Sequence, residues 1–165
     1  MTGRRAAALA LGFVFLVAGC SAAPVDDAGP AISPQQSQAE FLALLDEAAT
    51  LAGGEWETRD SPSPLSCELP GSGGDGVTFT GRRERAGAGL DETSIADIAR
   101  LLDDEGFEVG RSSVGPFENV RGVMPGNEAL YVLLEAGSNI TTLSGQAACV
   151  PGDVNDELDR VKREQ

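Results

Sequence analysis

The chain has 165 residues, with 12 basic side chains, 26 acidic ones, no histidine and three cysteines. That length holds one folded domain, and the missing histidine removes Ser-His-Asp and Cys-His nucleophile systems together with the usual zinc and copper ligand sets. A net charge of −14 makes the electrostatic term that dominates nucleic-acid affinity repulsive, so no nucleic-acid partner is expected.

Met1 to Arg5 carries Arg4 and Arg5, and Ala6 to Ala18 is almost wholly apolar. The apolar run is too short for a membrane-spanning helix, which needs about 20 residues. Residues 1–19 therefore read as a secretory signal peptide. The break Val17-Ala18-Gly19-Cys20 resembles the lipobox of bacterial lipoproteins. That resemblance implies cleavage before Cys20, a diacylglyceryl group on its thiol, often an acylated (palmitate-type) amino terminus, and residence on the outer face of the cell membrane. Two or three acyl chains, at about 0.8 kcal/mol per buried methylene, make a lasting anchor. Cleavage removes Arg4 and Arg5 and no acid, so 10 basic and 26 acidic residues remain and the net charge becomes −16.

Residues 20–34 are expected to be the lipidated cysteine and a disordered tether: Pro24, Pro30 and Pro34, small residues and Asp26-Asp27 offer too little apolar surface to order themselves. Residues 35–165 are expected to form a single domain. Phe41, Leu44, Leu45, Ala48, Leu51 and Ala52 recur at helical spacing and Gly53-Gly54 supplies a stop, which predicts a helix over 35–52. Residues 55–59 read as a short strand whose Trp56 anchors the core, 60–76 as turn-like, and 76–85 as a half-buried strand. Asp91-Glu92-Thr93-Ser94 starts a second helix with the stripe Ile95, Ile98, Leu101, Leu102, ended by Gly106. Strands follow over 107–112, 118–124, 128–135 and 140–145, with turns at Pro125-Gly126-Asn127 and Gly137-Ser138-Asn139. A terminal helix over 153–165 presents Val154, Leu158 and Val161.

Most links are too short for the crossovers that parallel strands require. The expected fold is α+β: a two-layer sandwich, with an antiparallel sheet of about five to six strands and both long helices on one face.

With Cys20 lipidated, Cys67 and Cys149 remain in a compartment that permits disulfides, and a bridge between them is expected; a reactive or metal-binding pair is the alternative, weakened by the lack of Cys-x-x-Cys spacing. Gly71-Ser72-Gly73-Gly74-Asp75-Gly76 lacks the Gly-Lys-Ser/Thr ending of a phosphate loop and leads into a strand, so it reads as a hairpin loop. Asp153, Asn155, Glu157 and Asp159 imitate the start of a calcium loop, but Leu158 stands where that loop demands glycine. The acidic pairs Asp91-Glu92 and Asp103-Asp104-Glu105 read as solvated helix ends. Arg82, Arg83 and Arg85 read as the polar face and end of a strand, with a docking patch for an anionic ligand as the alternative.

Cys20 with its lipobox, the helix ending before Glu55-Trp56-Glu57, Cys67-Glu68-Leu69-Pro70 followed by glycines, and the late Cys149 together resemble the small actinobacterial LppA-like lipoproteins. The resemblance covers most of the mature chain but rests on layout, and only the lipobox is a specific motif. It implies a cell-surface lipoprotein of the α+β kind and carries no catalytic residue across. The functional expectation is a non-enzymatic, monomeric, membrane-anchored module that binds an envelope protein or small ligand, without cofactor or metal. The alternative is a small-molecule or lipid carrier using a cleft between helices and sheet.

Overall fold

The structure, a computed structural model, describes residues 32–87 and 89–164. The signal peptide over 1–19, Cys20 and all but the end of the tether lie outside the described residues.

Helix α1 spans Pro34–Ala52. Ser33 starts it by accepting a hydrogen bond from the Gln36 N–H at 3.1 Å, and Pro34 takes a first-turn position where a missing N–H costs nothing. Gly53, at φ 64°, ends it in a backbone region that other residues enter only with strain. Its inner face buries Phe41, Leu45, Ala48, Ala49 and Ala52. Helix α2 spans Glu92–Asp104 and buries Ile95, Ile98 and Leu102.

Asp91 caps α2 by accepting the Ser94 N–H at 2.8 Å. That backbone hydrogen bond, and then one from the Ser94 side chain, hold the Asp91 carboxyl below its ordinary range. Glu92 is lowered likewise, by hydrogen bonds from Arg111 and then by its charge. A carboxyl with a lowered folded pKa adds stability above its unfolded pKa and loses it as pH falls through the folded value, so stability is expected to decline below about pH 4. Asp91→Asn keeps a cap acceptor. It should leave neutral-pH stability nearly unchanged and make the acid decline shallower. Urea midpoints taken between about pH 3 and pH 7 check this, and an unchanged decline would refute it.

The main sheet has six strands in the order β1-β4-β8-β7-β6-β5. They are β1 (Glu57–Thr58), β4 (Thr80–Ala86), β5 (Glu108–Val114), β6 (Phe117–Met124), β7 (Asn127–Ala136) and β8 (Ile140–Gln146), and every pairing is antiparallel. Side chains alternate between faces. The helix-covered face carries Val120, Val132, Leu134 and Leu143, all fully buried, and together with the inner faces of α1 and α2 they form the core. Burial of each such side chain is worth about 1.5–3 kcal/mol.

Glycines set how closely the helices lie on this face. Gly81 and Gly145 stand opposite each other on β4 and β8. A Cβ on Gly81 would come within 2.6 Å of Leu42, and one on Gly145 within 3.2 Å of the Phe41 ring and into the Tyr131 carbonyl oxygen. These two positions form the seat of α1. Gly122 does the same for α2 and the chain after it, with Leu102 and Phe107 at 3.2 Å.

A second sheet, in the order β2-β3-β9, contains β2 (Leu65–Glu68), β3 (Asp75–Thr78) and β9 (Val150–Pro151). It continues the β4–β8 pair. Thr80 faces Gln146 while Val77 faces Val150, so two residues on one strand oppose three on the other. The extra residue is a bulge that turns the pair out of the main sheet. Ala147 N–H to Phe79 C=O at 2.8 Å, and Thr78 Oγ1–H to Ala147 C=O at 2.7 Å, hold the bend.

Helix α3 (Val154–Glu164) has no fully buried residue. Asp153 caps it through the Asn155 N–H at 2.7 Å, and Arg160 bridges Glu157 and Glu164. Gln35 reaches Glu157 at 2.7 Å and ties α3 to the start of α1.

The α+β sandwich holds, with both long helices on one face of an antiparallel sheet. Two expectations are corrected. The segment 60–76 contains strand β2, and 76–85 is not one strand but β3 and β4, divided by the bulge between two sheets. A bulge has no residue signature of its own here, because the Val77–Phe79 alternation runs unbroken through it.

Candidate functional site

An apolar-floored cleft of about 250 Å³ lies beside the amino-terminal half of α1. Helix α1 contributes Ser37, Glu40, Phe41 and Leu44, with Ile32 just before it. Glu105 and Phe107 come from the exit of α2, Met124 and Leu130 from the facing ends of β6 and β7, and Ala148 from the bulged link after β8. Phe41 and Phe107 are buried, and Leu44, Met124, Leu130 and Ala148 are half-buried.

The floor is apolar and its one hydroxyl is occupied, since Ser37 donates to the Ala148 carbonyl at 3.1 Å. Glu40 and Glu105 are exposed, and among the described residues no basic side chain lines the space. The volume exceeds the roughly 150 Å³ apolar cavity that takes benzene and falls just short of the roughly 300–1,000 Å³ of ordinary ligand pockets. An aromatic ring or short alkyl chain fits; a whole lipid does not.

None of these residues carried a site signal in the sequence. They come from five separated stretches, and each looks locally like core or helix end. One hint existed: Asp103, Asp104 and Glu105 crowd the end of α2, where the helix dipole is negative and carboxylates are unfavourable.

The arginines expected to form one polar strand face do not share a face, and that expectation is corrected. Arg83 points under α1 with its side chain 3% exposed, donating to Asp46 at 2.7 Å and to Asp60. Burial pulls its pKa down, but the hydrogen bonds and charges of Asp46 and Asp60 outweigh that, and the net direction is up. Arg85 lies on the same side, donating to the Ala52 and Gly53 carbonyls at the end of α1 and standing over the Trp56 ring at 5.7 Å. Trp56 is half-buried against the core, its indole N–H donating to the Gly53 carbonyl at 2.9 Å. Arg82 faces the other way and pairs with Glu84, as does Arg59.

Cys67 and Cys149 form the expected disulfide, with Cα atoms 6.0 Å apart. Cys67 sits on β2 opposite Gly76 of β3, and Cys149 directly precedes β9, so the bond crosses over the central strand of the small sheet. Gly76 is what lets it pass, because a Cβ there would lie 2.7 Å from the Cys149 sulfur. Residues 71–74 of the glycine-rich run form the β2–β3 hairpin turn, closed by Leu69 N–H to Gly74 C=O at 2.7 Å, and Asp75 and Gly76 open β3.

The acids expected at helix starts do that work. Asp91 and Asp153 cap α2 and α3, and Glu92 pairs with Arg111 at 2.8 Å. Among the described residues no helix is long and apolar enough to cross a membrane. No family model, curated protein or solved structure matches the chain.

Proposed function

We propose that this chain is a lipid-anchored lipoprotein of the outer face of the cell membrane, a small LppA-like surface module that binds rather than catalyses. The observation that carries this reading is the sequence Val17-Ala18-Gly19-Cys20 after a short apolar run. The Cys67–Cys149 disulfide supports it, since such bonds persist in oxidising compartments outside the cytosol. The absence of histidine from the chain supports a binding role, as it removes the commonest general base. In this reading a monomeric domain meets an envelope protein or small ligand at the end of its tether, with no cofactor.

Metabolic labelling with an alkyne-bearing palmitate tests the anchor. The wild-type chain is expected to take up label and sediment with membranes, and Cys20→Ser to do neither. A wild-type chain without label would refute it. A second reading, a carrier of a small apolar ligand, is favoured by the cleft beside α1.

A further inference from the structure

The cleft beside α1 combines two features that together define a ligand class. Its interior is hydrocarbon, from Phe41, Phe107, Met124 and Leu130, and among the described residues its charged groups are Glu40 and Glu105. Glu105 follows the last turn of α2, which contains no basic residue and already carries Asp103 and Asp104. Two full negative charges and the negative end of a helix dipole therefore converge there without a positive side chain among the lining residues. The start of α1 opposes them with a partial positive charge of roughly half a unit, part of which Ser33 has already met by capping Gln36. The balance is negative, on a chain whose net charge is −14.

We propose that this cleft binds a small cationic amphiphile, an alkylammonium-type molecule whose short apolar tail fills the cleft while Glu40 and Glu105 supply the countercharge. The proposal rests on the carrier reading and narrows it. Anionic amphiphiles such as fatty acids meet like charge at the entrance and are disfavoured, and neutral alcohols fall between.

The chain contains two methionines, Met1 and Met124, so a sample labelled with methyl-¹³C methionine reports on the cleft through one resonance. The full-length Cys20→Ser chain is titrated with octylammonium, octan-1-ol and octanoate. Octylammonium is expected to shift the Met124 methyl saturably, with octanoate weaker by about tenfold or more. Glu40→Gln with Glu105→Gln should bring the three ligands within about threefold of each other. Leu130→Trp should fill the space and abolish the shift, and Leu44→Trp fills it from the helix side should the first variant not fold.

Equal binding of all three ligands would overturn the cationic selectivity and leave the apolar-cleft reading standing. No Met124 shift with any ligand, or a shift that survives both tryptophan variants, would overturn both. A lysine-rich peptide that shifts Met124 at lower concentration than octylammonium would overturn the proposal in favour of a peptide partner.

Discussion

Replacing Cys67 and Cys149 together by alanine is expected to lower the unfolding free energy by about 4–5 kcal/mol, since the bond joins residues 82 apart in sequence. Against the roughly 5–15 kcal/mol that holds a typical domain, this is about a quarter of the total or more. Alanine is the better replacement because Cys149 is buried, and a serine hydroxyl there would add its own desolvation cost. The size of the effect depends on where the bond lies. Strand β2 pairs only with β3, and the side chain of Leu65 on it is 45% exposed, so packing alone holds β2 weakly. Through the disulfide it is tied to the link after β8, which belongs to the main sheet pair. Gly76→Ala tests the same geometry without touching a cysteine. Its Cβ would press on the Cys149 sulfur and the Val150 carbonyl oxygen, so it should destabilise the wild type more than the double-alanine variant. Urea unfolding followed by fluorescence of Trp56, the one tryptophan, measures both. A loss of under about 1 kcal/mol on removing the bond would mean that β2 unfolds locally and the rest of the domain does not depend on it.

Local chemistry in the sequence was enough to find most elements. Asp91 starts a helix, Gly53 and Gly106 stop helices, and Pro125-Gly126 turns β6 into β7, because each of these acts within a few residues of itself; Ser33 and Pro34, placed by composition in the tether, prove to be the cap and first turn of α1. The disulfide was legible for a different reason, namely that only two cysteines remain once Cys20 is set aside. What stayed hidden depends on register between strands far apart in sequence. The bulge is defined by Thr80 against Gln146 and Val77 against Val150, a relation that neither strand contains alone. The burial of Arg83 is masked in the sequence because an Arg-Arg-Glu-Arg run looks like a solvated edge. The alternation was there, but it takes the position of Asp46 one layer above and Asp60 at the sheet's edge to make burying Arg83 affordable. The cleft was invisible for the same reason, since Phe41, Phe107, Met124 and Leu130 become neighbours only when α1 crosses the end of the sheet.

Removing Asp60 should cost more than removing the arginine it holds. Asp60→Ala leaves the Arg83 guanidinium beneath α1, 3% exposed, with Asp46 as its remaining ionic partner. An under-compensated buried charge of this kind costs about 3–5 kcal/mol. The lower end is expected here, because Asp46 still accepts at 2.7 Å and Arg83 also donates to the Arg82 carbonyl. Arg83→Leu removes the charge that cannot reach water and leaves two carboxylates that can. Asp46 is 64% exposed, and Asp60, at 22%, keeps the Arg82 N–H as a donor at 3.1 Å. Leucine also returns some apolar burial beneath α1, so the expected loss is under about 2 kcal/mol. Asp46→Ala also leaves one carboxylate on Arg83, but it opens the exposed end of the triad to water, which can take over the lost hydrogen bond, and keeps Asp60 in place, so it should cost about 1 kcal/mol. The predicted order of urea midpoints is therefore Asp46→Ala highest, Arg83→Leu next and Asp60→Ala lowest. If Arg83→Leu proved the most damaging of the three, the guanidinium's hydrogen bonds would outweigh its desolvation, and the triad would be a source of stability rather than a compensated burial.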